Sequence, residues 1–433
     1  MKGVREGLLL AALMLLPASG LAEWSSPQPL SNSSFPSRIR YNFGWAIDVD
    51  GAGVVHAAWL EETSPDPPGH GTGRVMYSRS ADDGRTWTPP MPLTGAPQAA
   101  TGHPRLAASG PHVYVAWHGL HDGSGIPKIY LLHSPAHGSS WNPARIISDN
   151  TLATGGAAWP SVNACGDSVH AVWSDSRSGV AEIYVRSSPD AGTSWTSVRQ
   201  VSSPDGRSSW VPTVACWGPA VHVAWSDERH NVDEVGQPYD CGIANDSTMC
   251  REEEYYRRST DFGDTWEPEV RLTVDPPDAP RSSWAPSIAV WENNVHVVFF
   301  DRRTDRFQVY YKRSTGGGAP HTWEPERMIS VDADGATDHA RPVIAALGPF
   351  LHVVWFGLRP PIGVNVFYAG SYDNGTTFGA PAALTLRPSF GETHPSVAVS
   401  PRKSAHVIWY EADARGVDQI VHRARRVSRR PWD

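Results

Sequence analysis

Short apolar runs ending in an aromatic residue recur along the chain. They are "VVHAAW" to Trp59, "HVYVAW" to Trp117, "VHAVW" to Trp173, "VHVAW" to Trp225, "VHVVF" to Phe299, "LHVVW" to Trp355 and "AHVIW" to Trp409. Apolar and polar residues alternate around them, and Gly, Pro and Asn bound them, which predicts strands. The aromatic residues lie 52 to 58 residues apart, except for a spacing of 74 between Trp225 and Phe299. Internal repeats of this length, rich in Gly, Pro and aromatic side chains, predict an all-β propeller of four-stranded antiparallel blades.

Each unit reads as four strands. The first starts at a proline ("WPSVNAC", "APSIAV", "HPSVAV") and the second ends in the aromatic residue. The third reads "AEIYVRSS" or "FQVYYKRS", and a polar turn leads to a fourth such as "EVRLT" or "PARIIS". No segment carries a helical period. Seven units have the first three strands, but only six have the polar turn and the fourth. The segment "WSSPQPLS" shares the register of "WTPPMPLT" at 87, so Trp24, Leu30 and Ser31 predict an N-terminal strand that completes the seventh blade. Closing the ring this way removes an exposed sheet edge. The count gives seven blades, with six as the alternative.

The turns themselves are near-copies: "SADDGRTW" at 80, "SPAHGSSW" at 134, "SPDAGTSW" at 188, "STDFGDTW" at 259, "STGGGAPHTW" at 314 and "SYDNGTTF" at 371. Gly192 supplies a positive φ, Asp190 accepts N–H groups of its own turn, and Trp195 packs between the third and fourth strands. His137 stands in for the Asp of the second copy, and the fifth copy is two residues longer. Such tolerance predicts an architectural role. The repeated S-x-D-x-G-x-T-W resembles the Asp-box repeat of the sialidase superfamily, over nearly the whole mature chain. That resemblance implies a propeller. It departs from sialidases in blade number, since they have six.

Ligand chemistry is expected on the face opposite those turns. His103, Trp159, Trp210, Trp284, Arg341 and His394 fall just before first strands, His339 lies two before Arg341, and Arg207 and Arg281 lie five before their prolines. Indoles stack on sugar faces and guanidinium groups grip carboxylates; the tryptophans are equally suited to wedge between blades. After the second strand, Asp175/Arg177, Asp227/Arg229 and Asp301/Arg303 share acid-x-Arg, which predicts an ion pair inside each loop. Glu61 and Glu411 take the acid position in the two blades that close the ring, and are expected at one pocket edge. His56, His170, His222, His296, His352 and His406 repeat in one slot of the second strand, which predicts packing.

The resemblance also implies catalytic positions. Sialidases use a tyrosine nucleophile, and the family has Arg-Ile-Pro at the start of the first inner strand. Here the ten-residue step from proline to second-strand histidine places Gly44 at that arginine, and the Arg-Ile of "SRIR" falls six residues earlier, without the proline. The family's acid/base Asp lies in the first blade's second-to-third-strand loop, where this chain has Asp66. Arg341 corresponds to one of the later arginines. Tyr410, beside Glu411, is the nearest substitute for the tyrosine.

The long spacing marks an insertion over 230–254 holding Cys241 and Cys250, either a lid or a decoration. Disulfides are expected for Cys241–Cys250 and Cys165–Cys216. "DADGATD" at 332 reads as a plain turn rather than a calcium loop. Neither a metal nor a cofactor is expected. Residues 1–22 read as a signal peptide and 23–433 as the propeller, secreted or periplasmic. The net charge of −8 gives no footprint for nucleic acid. The basic "RARRVSRRPWD" reads as a solvated strand and tail. No run is long enough to span a membrane, and a monomer is expected. The function expected is an exported propeller binding a glycan or other ligand at its axial face. The alternatives are an exo-α-sialidase with relocated groups and a protein-interaction scaffold.

Overall fold

A computed structural model describes residues 24–39, 46–63, 72–95, 102, 104–151, 155–231, 252–274, 282–304, 306–331, 335, 337–386 and 393–426. The chain forms seven antiparallel sheets around one axis, a seven-bladed propeller. Blade 3 shows the plan. Its inner strand is Ala157–Cys165, followed outward by Ser168–Asp175, Glu182–Ser188 and Arg199–Gln200. Blade 7 is completed from the other end of the chain. Gln28–Pro29 lies against Asp418–Arg426, with Gln28 opposite His422 and Pro29 opposite Val421. Leu30 is buried there, and Ser31 Oγ donates to Gln419 Oε1 at 2.8 Å. The expected ring closure is thus present. Among the described residues the one helical turn is a 3-10 turn, Pro320–Thr322. It absorbs the two extra residues of the fifth octet.

The second-strand aromatics fill the space between blades. Trp59, Trp117, Trp173, Trp225, Phe299, Trp355 and Trp409 are all buried. The recurring histidines are buried beside them and bonded internally. His222, His296 and His352 each meet a tyrosine hydroxyl, of Tyr256, Tyr311 and Tyr368, at 2.6–2.8 Å. Their expected packing role holds.

The octets are the turns from third to fourth strand. In four of them the third residue is an Asp that holds the turn: Asp190 Oδ1 accepts from Ser194 N at 2.7 Å and from Ser188 Oγ at 2.9 Å. The second octet has Ala136 at this position, not His137. His137 occupies the next place, where φ is positive in Asp83, His137, Ala191, Phe262 and Asn374, as it is at the following glycine. Two successive left-handed residues therefore make the turn, where the sequence pointed only to the glycine. The fourth-position side chain reaches the preceding blade. Asp83 binds Ser400, Ser404 and His406 of blade 7, and His137 Nδ1 meets Asp50 of blade 1 at 2.5 Å. The octets tie blade to blade.

Candidate functional site

At the end of the axis away from the octets, the inner strands begin earlier than their prolines. They start at Ala157, Ser209, Ser283 and Asp338 in blades 3 to 6, and each carries a bulge. The residue before each proline is left-handed: Trp159 (φ 55), Val211 (φ 50), Ala285 (φ 55) and Arg341 (φ 54). A proline disfavours helical backbone in its predecessor, and a β-branched residue such as Val211 disfavours positive φ further. Held four times over, this kink must be fixed by the surrounding ring. It aims the bulged residue differently from the one before it. Trp159 and Arg341 occupy the bulge, whereas Trp210 and Trp284 stand one place earlier, paired across the sheet with Ser226 and Phe300. These four side chains are thus two groups rather than one set.

Of the bulged residues, Arg341 gathers its partners at blades 6 and 7, whereas Trp159 sits at blades 2 and 3. Arg341 Nη1 donates to His394 Nε2 at 3.0 Å. The His394 ring lies 6.0 Å from that of Tyr410 and 5.7 Å from that of Phe356. Thr393 Oγ1 donates to the Tyr410 carbonyl at 2.7 Å. Arg341, His394 and Tyr410 are brought together. Tyr410 is buried at the blade 7–blade 1 boundary. Trp159 lies beside His118 of blade 2, ring to ring at 6.2 Å.

The second group gathers at blades 4 and 5. Trp210 Nε1 donates to Glu228 Oε1 at 2.9 Å, and the Trp284 side chain lies close to Glu252. All four are half-buried. Trp284 also packs edge-on against Phe300 at 5.7 Å, so it acts as a wedge too. Desolvation pushes Glu252 up to about 8, with Glu228 adding repulsion. Desolvation likewise raises Glu228, and it raises Glu254, next to Glu252, well above the ordinary range. These carboxyls were not singled out from sequence. The signal was "REEEYY": Glu254 pairs with Ser226 in the sheet at the place where blade 3 has Ile183 opposite Ser174. Between Asn231 and Glu252 the insertion lies outside the described residues.

The acid-x-Arg pairs are internal ion pairs, as expected. Arg177 binds Asp175 at 2.8 Å, and Arg229 and Arg303 bind Asp227 and Asp301 at 2.7 Å. Each guanidinium also stacks on a tyrosine of its own blade, Tyr184, Tyr255 or Tyr310. Glu411 belongs to the same slot. It accepts the Trp409 indole at 2.9 Å, as Asp175 and Asp227 do from Trp173 and Trp225. It lines a peripheral cleft of about 470 Å³ with Pro29 and Pro90, and Glu61 is not in that lining. His339 is buried, and its Nδ1 takes the Trp355 indole at 2.9 Å. Arg207 is half-buried, its backbone N–H donating to Asp205. Asp66, His103, Arg281, Cys241 and Cys250 lie outside the described residues.

Blade 1 alters one expectation. Ser37–Arg38 pairs with Glu61 and Leu60 of the second strand, whereas Ile47–Val49 pairs with its other end. In blade 3 the matching partners, Asp175 and Ser174, face the first two residues of the inner strand. Arg38 therefore stands at the leading end of a split inner strand, despite being six residues early by linear register. It binds Glu62 and Asp418, each at 2.6 Å.

A second concavity lies at the octet end of the axis. It measures about 570 Å³ and is lined by the far ends of the inner strands, including Asp48, Asn163, Trp217 and Trp291. The Cys165–Cys216 disulfide, Cα–Cα 6.0 Å, is in its wall and joins blades 3 and 4. That expected pairing is confirmed.

No protein-family model and no curated protein matches the sequence. Among solved structures, a protein of unknown function from Dyadobacter fermentans DSM 18053 aligns over 94% of this chain and 99% of its own, with TM-score 0.56 and 13% identity. An ulvan lyase, described as a new family of polysaccharide lyase, covers 89% and 94% with TM-score 0.56 and 8% identity. The endosialidase of phage phi92 covers 94% and 70% with TM-score 0.51 and 9% identity. At these identities the likeness is one of fold.

Proposed function

We propose that this chain is an exported glycan-binding propeller of the Asp-box kind, taking its ligand at the end of the axis away from the octets. One observation carries the reading: two adjacent blades each present a half-buried indole beside a half-buried carboxyl, Trp210 hydrogen-bonded to Glu228 and Trp284 close to Glu252. An indole offers an apolar face to a sugar ring, and a carboxyl beside it accepts sugar hydroxyls. A carboxyl kept protonated at neutral pH, as Glu252 is, also donates. The arginines of the acid-x-Arg loops are spent on their own aspartates and leave this recognition to other groups. Export rests on residues 1–22 and is supported by the disulfide. Sugar-processing propellers among the structures of similar fold are consistent with the reading without establishing it.

A second reading, a glycosidase of sialidase type, is favoured by the position of Arg38, at the leading end of the first inner strand where that family has its Arg-Ile-Pro. In that reading Arg341 is a further carboxylate clamp, Tyr410 stands near the nucleophile position, and Asp66 supplies the acid/base.

The test is retention of the mature chain on immobilised neutral and sialylated glycans, with Trp210→Ala and Trp284→Ala beside it. A fluorogenic α-sialoside is assayed in parallel from about pH 4 to 8. Retention that both variants lose at unchanged melting temperature supports binding. Turnover abolished by Asp66→Ala moves the function to the second reading. Neither retention nor turnover sinks both.

A further inference from the structure

The cavity at the octet end of the axis holds a carboxyl that architecture does not require. Asp48 Oδ2 accepts the N–H of Ala108 in the next blade at 2.8 Å, and Oδ1 accepts that of Val49 at 2.8 Å. Asn163 does the same work in blade 3, its Oδ1 accepting Cys216 N of the next blade at 3.2 Å. The two slots are equivalent, since Asp48 and Asn163 lie opposite the second-strand histidines His56 and His170. A neutral amide therefore suffices for the inter-blade bond, and the charge of Asp48 is surplus to it.

The buried aspartates of the described blades have basic partners. Asp175, Asp227 and Asp301 have arginines, Asp83 has His406, and Asp50 has His56 and His137. Half-buried Asp48 has no such ion pair among the described residues, and none of the described residues lining the cavity is Lys, Arg or His. Desolvation pushes its carboxyl up to about 7, and Asp50 two residues on adds repulsion. A group in that state gains most from a cation brought to it. Trp217 and Trp291 supply the complement. They end the inner strands of blades 4 and 5, across the ring from blade 1, with ring centroids 4.6 Å apart and planes at 48°. Trp217 is 37% exposed at the rim. Indole faces attract ammonium groups through the ring quadrupole, most strongly where water is excluded. The remaining wall is largely alanine and valine, and the volume of about 570 Å³ falls in the small-molecule range.

We propose that this cavity is a second ligand site, independent of the glycan-binding face, and that it takes a small organic ammonium ion, with the cation between the Trp217–Trp291 pair and the Asp48 carboxylate.

Calorimetry of the mature chain at about pH 8, where Asp48 is mostly ionised, compares choline with its uncharged carbon isostere 3,3-dimethylbutan-1-ol at matched ionic strength. Choline is expected to bind saturably and at least about tenfold more tightly than the alcohol. Asp48→Asn keeps the acceptor that Asn163 uses and is expected to fold. It should lower choline affinity about tenfold while leaving the alcohol unchanged. Trp217→Ala, at the exposed rim, should weaken choline to a similar degree. Equal affinity for the two probes, no saturable choline binding, or choline affinity indifferent to Asp48→Asn would each overturn the proposal.

Discussion

Arg341 donates to His394 across 3.0 Å and so joins the inner strands of blades 6 and 7. It does this from a left-handed backbone, φ 54, immediately before Pro342. A side chain kept there opposes local preference, which costs about 1–3 kcal/mol. Arg341→Gly should relieve that strain and hold or raise the melting temperature. Under the glycosidase reading it should also cut turnover of a fluorogenic α-sialoside about tenfold through loss of the guanidinium clamp. Wild-type turnover in a stable variant would remove Arg341 from that site.

The buried histidines make stability depend on pH. Desolvation holds His222, His296 and His352 at about 3 against an ordinary 6.5. The unfolded chain therefore binds more protons between those values. Stability is fully present above about 6.5 and is lost as pH falls toward about 3. Thermal melts across this window should show that decline. His296→Gln, which cannot titrate, should shallow the slope by the share of one group; an unchanged slope would mean that His296 does not set it.

Cys165 and Cys216 close a loop with a sequence separation of 51. A cross-link of that span stabilises by about 4 kcal/mol in the chain-entropy account. Cys165→Ala/Cys216→Ala should lower the urea midpoint accordingly. Reductant should lower it more for the wild type than for the double variant, which keeps Cys241 and Cys250.

Ring closure depends on a strand far away in sequence. Leu30 is buried among Ile408, Tyr410 and Ile420 of blade 7 and Trp59 of blade 1. Leu30→Ala should cost about 2–5 kcal/mol. The surface position Arg85→Ala, in the exposed turn nearby, should cost far less. Comparable losses in urea titrations of the two would show that closure does not rest on this contact.

The architecture was legible because each repeat states it again. Alternation marks the strands, the octet marks each turn from third to fourth strand, and the register of Trp24, Leu30 and Ser31 marked the closing strand. The acid-x-Arg ion pairs followed from local spacing alone, two residues apart in one loop. Two details failed for different reasons. His137 was read one place too early although Ser134 and Gly138, four apart as in every other octet, put Ala136 in the Asp slot. Trp159 and Trp210 looked equivalent until the bulge separated them.

By itself the sequence determined the blade, its number and its closure, because periodic burial needs only a strand's neighbours in the same sheet. Tertiary structure alone decided what meets at the axis. Arg38 reaches the leading end of blade 1 through a split inner strand that no linear register reveals. Glu228 and Glu252 are divided by the insertion, yet each meets an indole of its own or the next blade. Asp48 lines one cavity with two tryptophans from blades 4 and 5. The axis is where seven distant segments converge, and the potential there is the sum of charges whose separations depend on the closed ring.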